Sequence, residues 1–170
     1  MPVTPFHFGI GALAKGAFPA RVSFLTFVAS QIVIDCETGY YLFVAREWPL
    51  HRWAHTFLLG SLIGVAVGSL TSGVAQAALA AKWSLPFSSD WGFAQCVWGG
   101  LLGGLTHPLL DGLMHTDIEP LRPFARGNPF LGLIGLDLLH LLCVACGVVG
   151  LGLGMARALA SQRASDGTRL

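Results

Sequence analysis

Four long apolar runs, at 22–45, 53–82, 92–115 and 130–157, dominate the chain. Each exceeds the roughly 20 residues that an α-helix needs to cross the hydrocarbon core of a bilayer. In lipid the backbone must satisfy its own N–H and C=O groups, so runs like these are restricted to helices or a closed barrel. Their length, without strict alternation, predicts helices. A shorter apolar run at 6–18 comes first. It is too short for an ordinary span and is expected to be re-entrant or half-buried against its neighbours. The expected fold is therefore all-α, a polytopic membrane helical bundle of about four spanning helices plus a short N-terminal helix. It forms one domain over residues 1–157, followed by a polar, disordered tail at 158–170.

Charge supports this class. Only 11% of the residues are charged and 54% are hydrophobic, against about a quarter charged in an ordinary soluble domain. A net charge of +1 offers no basic footprint for nucleic acid. The N-terminus lacks the basic region and long apolar run of a signal peptide, so the spans themselves are expected to direct insertion. Breaks between runs fall at 19–21, 46–49, 85–90 and 119–129, rich in Pro, Asp, Ser and Gly. With alternating spans, Lys15, Arg21, Lys82, Arg157, Arg163 and Arg169 lie on one side and Arg46, Arg52, Arg122 and Arg126 on the other. Positive-inside logic assigns the first group to the cytoplasm of a cell (inner) membrane protein. Gly60, Gly64 and Gly68, and Gly99, Gly100, Gly103 and Gly104, have the spacing of closely packed membrane helices. Cys143 and Cys146 lie in an apolar run and read as small core residues.

The ligand-type residues gather in a few short patches: His7; Asp35 and Glu37; His51 and His55; His107, Asp111, His115 and Asp117. A carboxylate within a span costs about 2.5–3.5 kcal/mol on insertion scales, so Asp35 and Glu37, which interrupt the run at 22–45, read as more than incidental; being two apart they cannot share a helical face, and one is expected to be a ligand and the other to reach the interface. His107, Asp111 and His115 recur every four residues and share one helical face. His51 and His55 have the i, i+4 spacing of paired ligands on a helix. If the chain reverses near Arg21, His7 lies 14 residues before the reversal and Asp35 14 after it, so both return to one height. The third and fourth runs bring His51–His55 and His107–His115 to the same end. Imidazole and carboxylate are the donors that zinc takes. Asp137 and His140, three apart in the last run, are expected to satisfy each other or to join the site.

These motifs stand as Thr4-Pro5-Phe6-His7, Ile34-Asp35-Cys36-Glu37, His51-Arg52-Trp53-Ala54-His55-Thr56, and Thr106-His107-Pro108-Leu109-Leu110-Asp111 followed by Leu121-Arg122-Pro123-Phe124. In this order, over residues 4–124, the chain resembles the family of membrane-bound metal-dependent hydrolases, the group that includes a LexA-regulated member. The departures are a missing Pro and a missing final His in the acidic motif, Glu37 for its second Asp, and His115 where a small or polar residue is expected. More distantly the pattern is similar to the all-α zinc phospholipase C and nuclease group, a likeness at the level of fold.

The resemblance implies hydrolysis assisted by one or two divalent ions, zinc or alternatively manganese. The expected ligands are His55, His107 and Asp111, with His7 and Asp35 for a second ion. His51 or His115 completes a shell or acts as acid and base. Glu37 and Asp117 act as general base or orient an imidazole. Arg52 and Arg122 bind an anionic group of the substrate, such as phosphate. The expected substrate is a small-molecule or lipid-linked phosphoester or other ester, with membrane lipid as the surroundings and the site on the non-cytoplasmic side. The alternatives are a non-catalytic membrane protein with a structural metal site and a metal or proton transporter.

Overall fold

The computed structural model describes residues 4–85 and 90–167. These form five α-helices and no strand: α1 (Phe8–Ala17), α2 (Phe24–Gly39), α3 (Phe57–Ala80), α4 (Phe93–Met114) and α5 (Leu136–Gly167). A 3₁₀ turn, Thr4–Phe6, leads into α1, and a π-helical stretch, Tyr40–Ala45, extends α2. Of the expected break at 85–90, residues 86–89 lie outside the described residues.

Helix starts follow local chemistry. Ser23 caps α2 by accepting from the Thr26 N–H, and Thr56 caps α3 by accepting from the Leu59 N–H. At the start of α4, Gln95 Oε1 accepts from the Gly92 N–H. The π turn after α2 ends at Arg46 in the left-handed region, φ 55°, which turns the chain back toward the end of the bundle from which α3 departs.

Four spans were expected; two helices meet the requirement among the described residues. Phe57–Ala80 and Leu136–Ala164 are long and apolar enough to cross a membrane. The run at 22–45 divides into a 16-residue α-helix and the π turn, and it carries Asp35 and Glu37. The run at 92–115 folds as one 22-residue helix, but glycines, Gln95, Thr106, His107 and Asp111 reduce its apolar character. That helix is also shielded, because α4 packs chiefly against α3 and then α2, while α1 packs on α5. The expected tail also differs, since α5 continues to Gly167. Ala, Leu, Gln and Arg in 158–167 are good helix formers.

Glycines set the helix contacts. A Cβ on Gly60, Gly64 or Gly68 would run into the carbonyl oxygens of Gly104, Gly100 and Cys96, so α3 and α4 meet backbone to backbone. On its other side α4 uses Gly99 against Ser23, the cap of α2, and Gly103 against Ser30 within α2. Leu110, Leu139 and Cys143 form a small apolar core between α4 and α5. Elsewhere the buried side chains are largely polar, while Leu62, Leu70, Val74, Leu141, Val148 and Leu151 are exposed. This inside-out arrangement suits an apolar surrounding.

Candidate metal centre

Three separate segments meet at one place. Asp35 from α2, His55 from the loop before α3, and His107 and Asp111 from α4 each offer one ligand atom, all within 4.8 Å of one another. His107 Nε2 lies 3.2 Å from both Asp35 Oδ1 and Asp111 Oδ2. His55 Nε2 lies 3.7 Å from the same two oxygens. Ligands held about 2.0–2.2 Å from a tetrahedral zinc sit about 3.3–3.6 Å apart, so the four donors fit one ion. His7 Nε2 lies 3.5 Å from Asp111 Oδ1, beside this group and not within it, so Asp35, expected with His7 at a second ion, stands instead with His55, His107 and Asp111.

The hydrogen bonds around the centre define which nitrogen of each imidazole faces it. The Thr106 hydroxyl donates to the Leu102 carbonyl, so its oxygen is left to accept from Gln31 Nε2. The amide oxygen of Gln31 is thereby turned to His107 Nδ1 and accepts its proton. His107 Nε2 is left with its lone pair toward two carboxylates; it is buried and has no hydrogen-bond partner among the described residues. His55 follows the same logic: Nδ1 donates to Glu37 Oε2 at 3.1 Å, and Nε2 points inward, where the Thr38 hydroxyl reaches it at 3.3 Å. Lone pairs facing carboxylates in a buried site need a cation between them, whether proton or metal. Both nitrogens of His7 are likewise buried without a hydrogen-bond partner among the described residues.

Glu37 also organises the backbone. Its carboxylate accepts from the N–H groups of Arg52 and Ala54 while it holds His55. Burial raises its pKa, but His55 and these N–H groups outweigh burial, so the carboxyl lies below its ordinary range. Asp35 and Glu37 are about 200° apart around α2, which is why one faces the centre and the other the loop. Burial lowers the His55 pKa, and Asp35 and Glu37 more than reverse this, leaving it above 6.5.

His51 and His55 were expected on a helix; both lie in the loop before α3, which begins at Phe57. Pro49 precedes this stretch, and the cap at Thr56 serves only the helix beyond it. Carboxylates hold the loop instead. Asp117 Oδ2 accepts from the N–H groups of Leu50 and His51, and Oδ1 takes His51 Nδ1 at 2.9 Å. His51, His115 and Asp117 form a second close group, in which the rings of His51 and His115 stack at 4.3 Å. His115 Nε2, 4.0 Å from Asp111 Oδ1, joins the two groups. Burial lowers the His115 pKa, while in Asp117 the pull of His51 exceeds the effect of burial and lowers its carboxyl.

Arg52 and Arg122 sit beside these groups, both along one polar cleft that His51 and Asp117 also line. Arg52 bonds Glu47 and the Pro49 carbonyl, with its guanidinium 3.6 Å from the Tyr41 ring centre. Arg122 pairs with Glu119. Asp137 is exposed, and His140 stacks on Phe6 at 4.5 Å. Neither joins a ligand group among the described residues.

Gln31 and Thr106 were not among the expected functional residues. A signal was present: Gln31 stands four residues before Asp35, on the same face of an apolar helix. Comparison with protein families, with curated proteins and with solved structures gives no match to this chain.

Proposed function

We propose that this protein is a membrane-embedded, metal-dependent hydrolase acting on a phosphoester or related ester, with its centre at the non-cytoplasmic end of the bundle. The observation that carries this reading is the pair of imidazoles, His55 and His107, each held at Nδ1 from behind so that Nε2 meets Asp35 and Asp111. Such backing partners are the usual mark of ligating histidines. The inside-out distribution of polar and apolar side chains supports embedding in lipid.

Asp35, His55, His107 and Asp111 would hold the ion, with His7 as a further donor. A divalent cation there, zinc in the first instance, supplies Lewis acidity toward the ester oxygen and makes water acidic enough to react near neutral pH. The chain's own residues do the rest. Asp35 and His115 keep the centre open on one side, with side chains 28% and 20% exposed, as a catalytic site requires and a closed structural site does not. His115, kept neutral by burial, accepts a proton from the attacking water through Nε2. The water oxygen bonds to phosphorus, the ester P–O bond breaks, and the leaving alkoxide takes up a proton, giving phosphate and alcohol. Glu37 and Asp117 orient His55 and His51, and Arg122 draws the anionic group.

The test is metal content, by mass spectrometry on detergent-purified protein, of wild type beside the His107→Ala, Asp111→Ala double variant. About one or two zinc or manganese ions per chain in the wild type, lost in the variant, with hydrolysis of para-nitrophenyl phosphate lost in parallel, is the expected result. A metal-free wild type, under conditions that retain metal in a control metalloenzyme, would overturn the reading.

A further inference from the structure

Beside the polar cleft lies a groove of different character, and one residue belongs to both. The cleft, about 630 Å³, is lined by Trp48, His51, Arg52, Trp53, Asp117 and Arg122 among others. The groove, about 470 Å³, runs along the first turns of α3 and is lined by Leu58, Leu62, Leu105, Leu121, Arg122 and Phe124 among others. Arg122 stands at their junction. From this we infer that the site takes a phosphate-bearing lipid, its phosphate in the cleft against Arg122 and its hydrocarbon chain in the groove beside α3. The chemistry of turnover in this assignment rests on the hydrolase reading above; the seat itself does not.

Three observations lead to this occupant. The first is charge. Glu119 engages Arg122 at Nε and the Trp53 ring centre lies 5.7 Å from its guanidinium carbon, but among the described residues no hydrogen bond occupies its terminal Nη atoms; a fork open at Nη suits a phosphate. Arg52, by contrast, is tied to Glu47, to the Pro49 carbonyl and to the Tyr41 ring. The second is depth. The groove spans Phe57 to Leu62 of α3, about 8 Å along a helix of membrane-spanning length. Trp48 and Trp53 at the cleft are exposed, as interfacial aromatic residues are. The cleft therefore lies at headgroup level and the groove leads into the apolar slab, which is the order of parts in a lipid phosphate. The third is continuity. His51 forms a wall of the cleft, and its ring is 4.7 Å from that of His55 and 4.3 Å from that of His115, so a phosphate held there sits beside the candidate metal centre.

The test uses the full chain in phosphatidylcholine nanodiscs containing phosphatidic acid with a photoreactive group in one acyl chain, and maps the crosslinks by mass spectrometry. Labelling is expected on the first turns of α3 and on the Leu121–Ala125 segment, displaced by excess unlabelled phosphatidic acid. Arg122→Gln and Leu62→Trp are each expected to lower it about tenfold. Leu70→Trp, on the exposed surface of α3 beyond the groove, is expected to leave it unchanged, and helix content by circular dichroism is the check that each variant has folded. Labelling that is indifferent to Arg122→Gln would mean a surrounding bilayer lipid and would overturn the inference, as would absence of label from the groove. Wild-type turnover of para-nitrophenyl phosphate, measured alongside, separates the two readings. Turnover without groove labelling removes the lipid seat and keeps the hydrolase. Arg122-dependent labelling without turnover or bound metal keeps the seat and removes the hydrolase.

Discussion

His107 Nε2 and Asp111 Oδ2, one helical turn apart on α4, lie 3.2 Å from each other, and the nitrogen meets that oxygen with its lone pair because Gln31 holds the opposite side of the ring. Two electron-rich atoms so placed in a buried site demand a positive charge between them. That demand has measurable consequences.

Gln31→Leu removes the acceptor that orients His107 without touching a ligand. Metal affinity, measured by competition with a chelator, is expected to fall about 10–100-fold, with helix content by circular dichroism unchanged. Gln31→Glu retains an acceptor oxygen and is expected to recover most of the affinity. Wild-type affinity in Gln31→Leu would show that His107 needs no orienting partner.

Metal binding is expected to strengthen as pH rises. The His55 pKa in the metal-free protein lies above 6.5, so near neutral pH an incoming ion must displace a proton. The stability from this raised pKa is fully present below about pH 6.5, the unfolded value, and is lost as pH rises through the folded one. Metal-free protein should therefore melt at lower temperature as pH is raised above about 6.5, whereas the stabilisation conferred by added zinc should grow over the same range. Thermal melts with and without zinc read both trends; zinc stabilisation that is flat with pH would contradict the assignment of His55.

Gly64→Val places a side chain against the Gly100 carbonyl on the facing helix. A loss of about 1–3 kcal/mol or more is expected, because the two backbones must separate. Gly73→Val, where nothing lies within 4 Å, is the control and is expected to cost less than about 1 kcal/mol. Unfolding in detergent with added denaturing surfactant measures the difference.

At the opposite end of the bundle, Lys15 pairs with Asp90, which also accepts from the Ser23 hydroxyl. Lys15→Met leaves a carboxylate only 6% exposed without its cation. The expected cost is about 2 kcal/mol, below the range for a fully buried pair because the lysine is partly solvated. Lys15→Met with Asp90→Asn is expected to cost less than Lys15→Met alone. Metal content should be unchanged in both, since this pair lies at the far end of α1 from His7.

The convergence of His7, Asp35, His55, His107 and Asp111 was legible in the chain because helix rise is constant: equal distances on either side of a reversal return residues to one level. The packing role of Gly60, Gly64 and Gly68 was legible because small residues at fourfold spacing form a continuous stripe. Other features were not. His51 and His55 have helical spacing but lie in a loop, because Glu37 and Asp117 satisfy the backbone N–H groups that a helix would otherwise have used. The run at 22–45 has the length of a span but breaks into an α-helix and a π turn, since hydropathy measures apolar length and not where a helix ends.

By itself the sequence determined the helical class, the end of the bundle at which the polar residues meet, and the small-residue contacts, all of which depend on periodicity and composition along one chain. Only the tertiary structure decided which nitrogen of each histidine faces the centre, which carboxylates serve as ligands and which hold the loop, and that Arg122 stands between a polar cleft and an apolar groove. The first two depend on hydrogen bonds between residues 15 to 76 positions apart, and direction in a hydrogen bond is a property of the partners' geometry, which no spacing along the chain encodes.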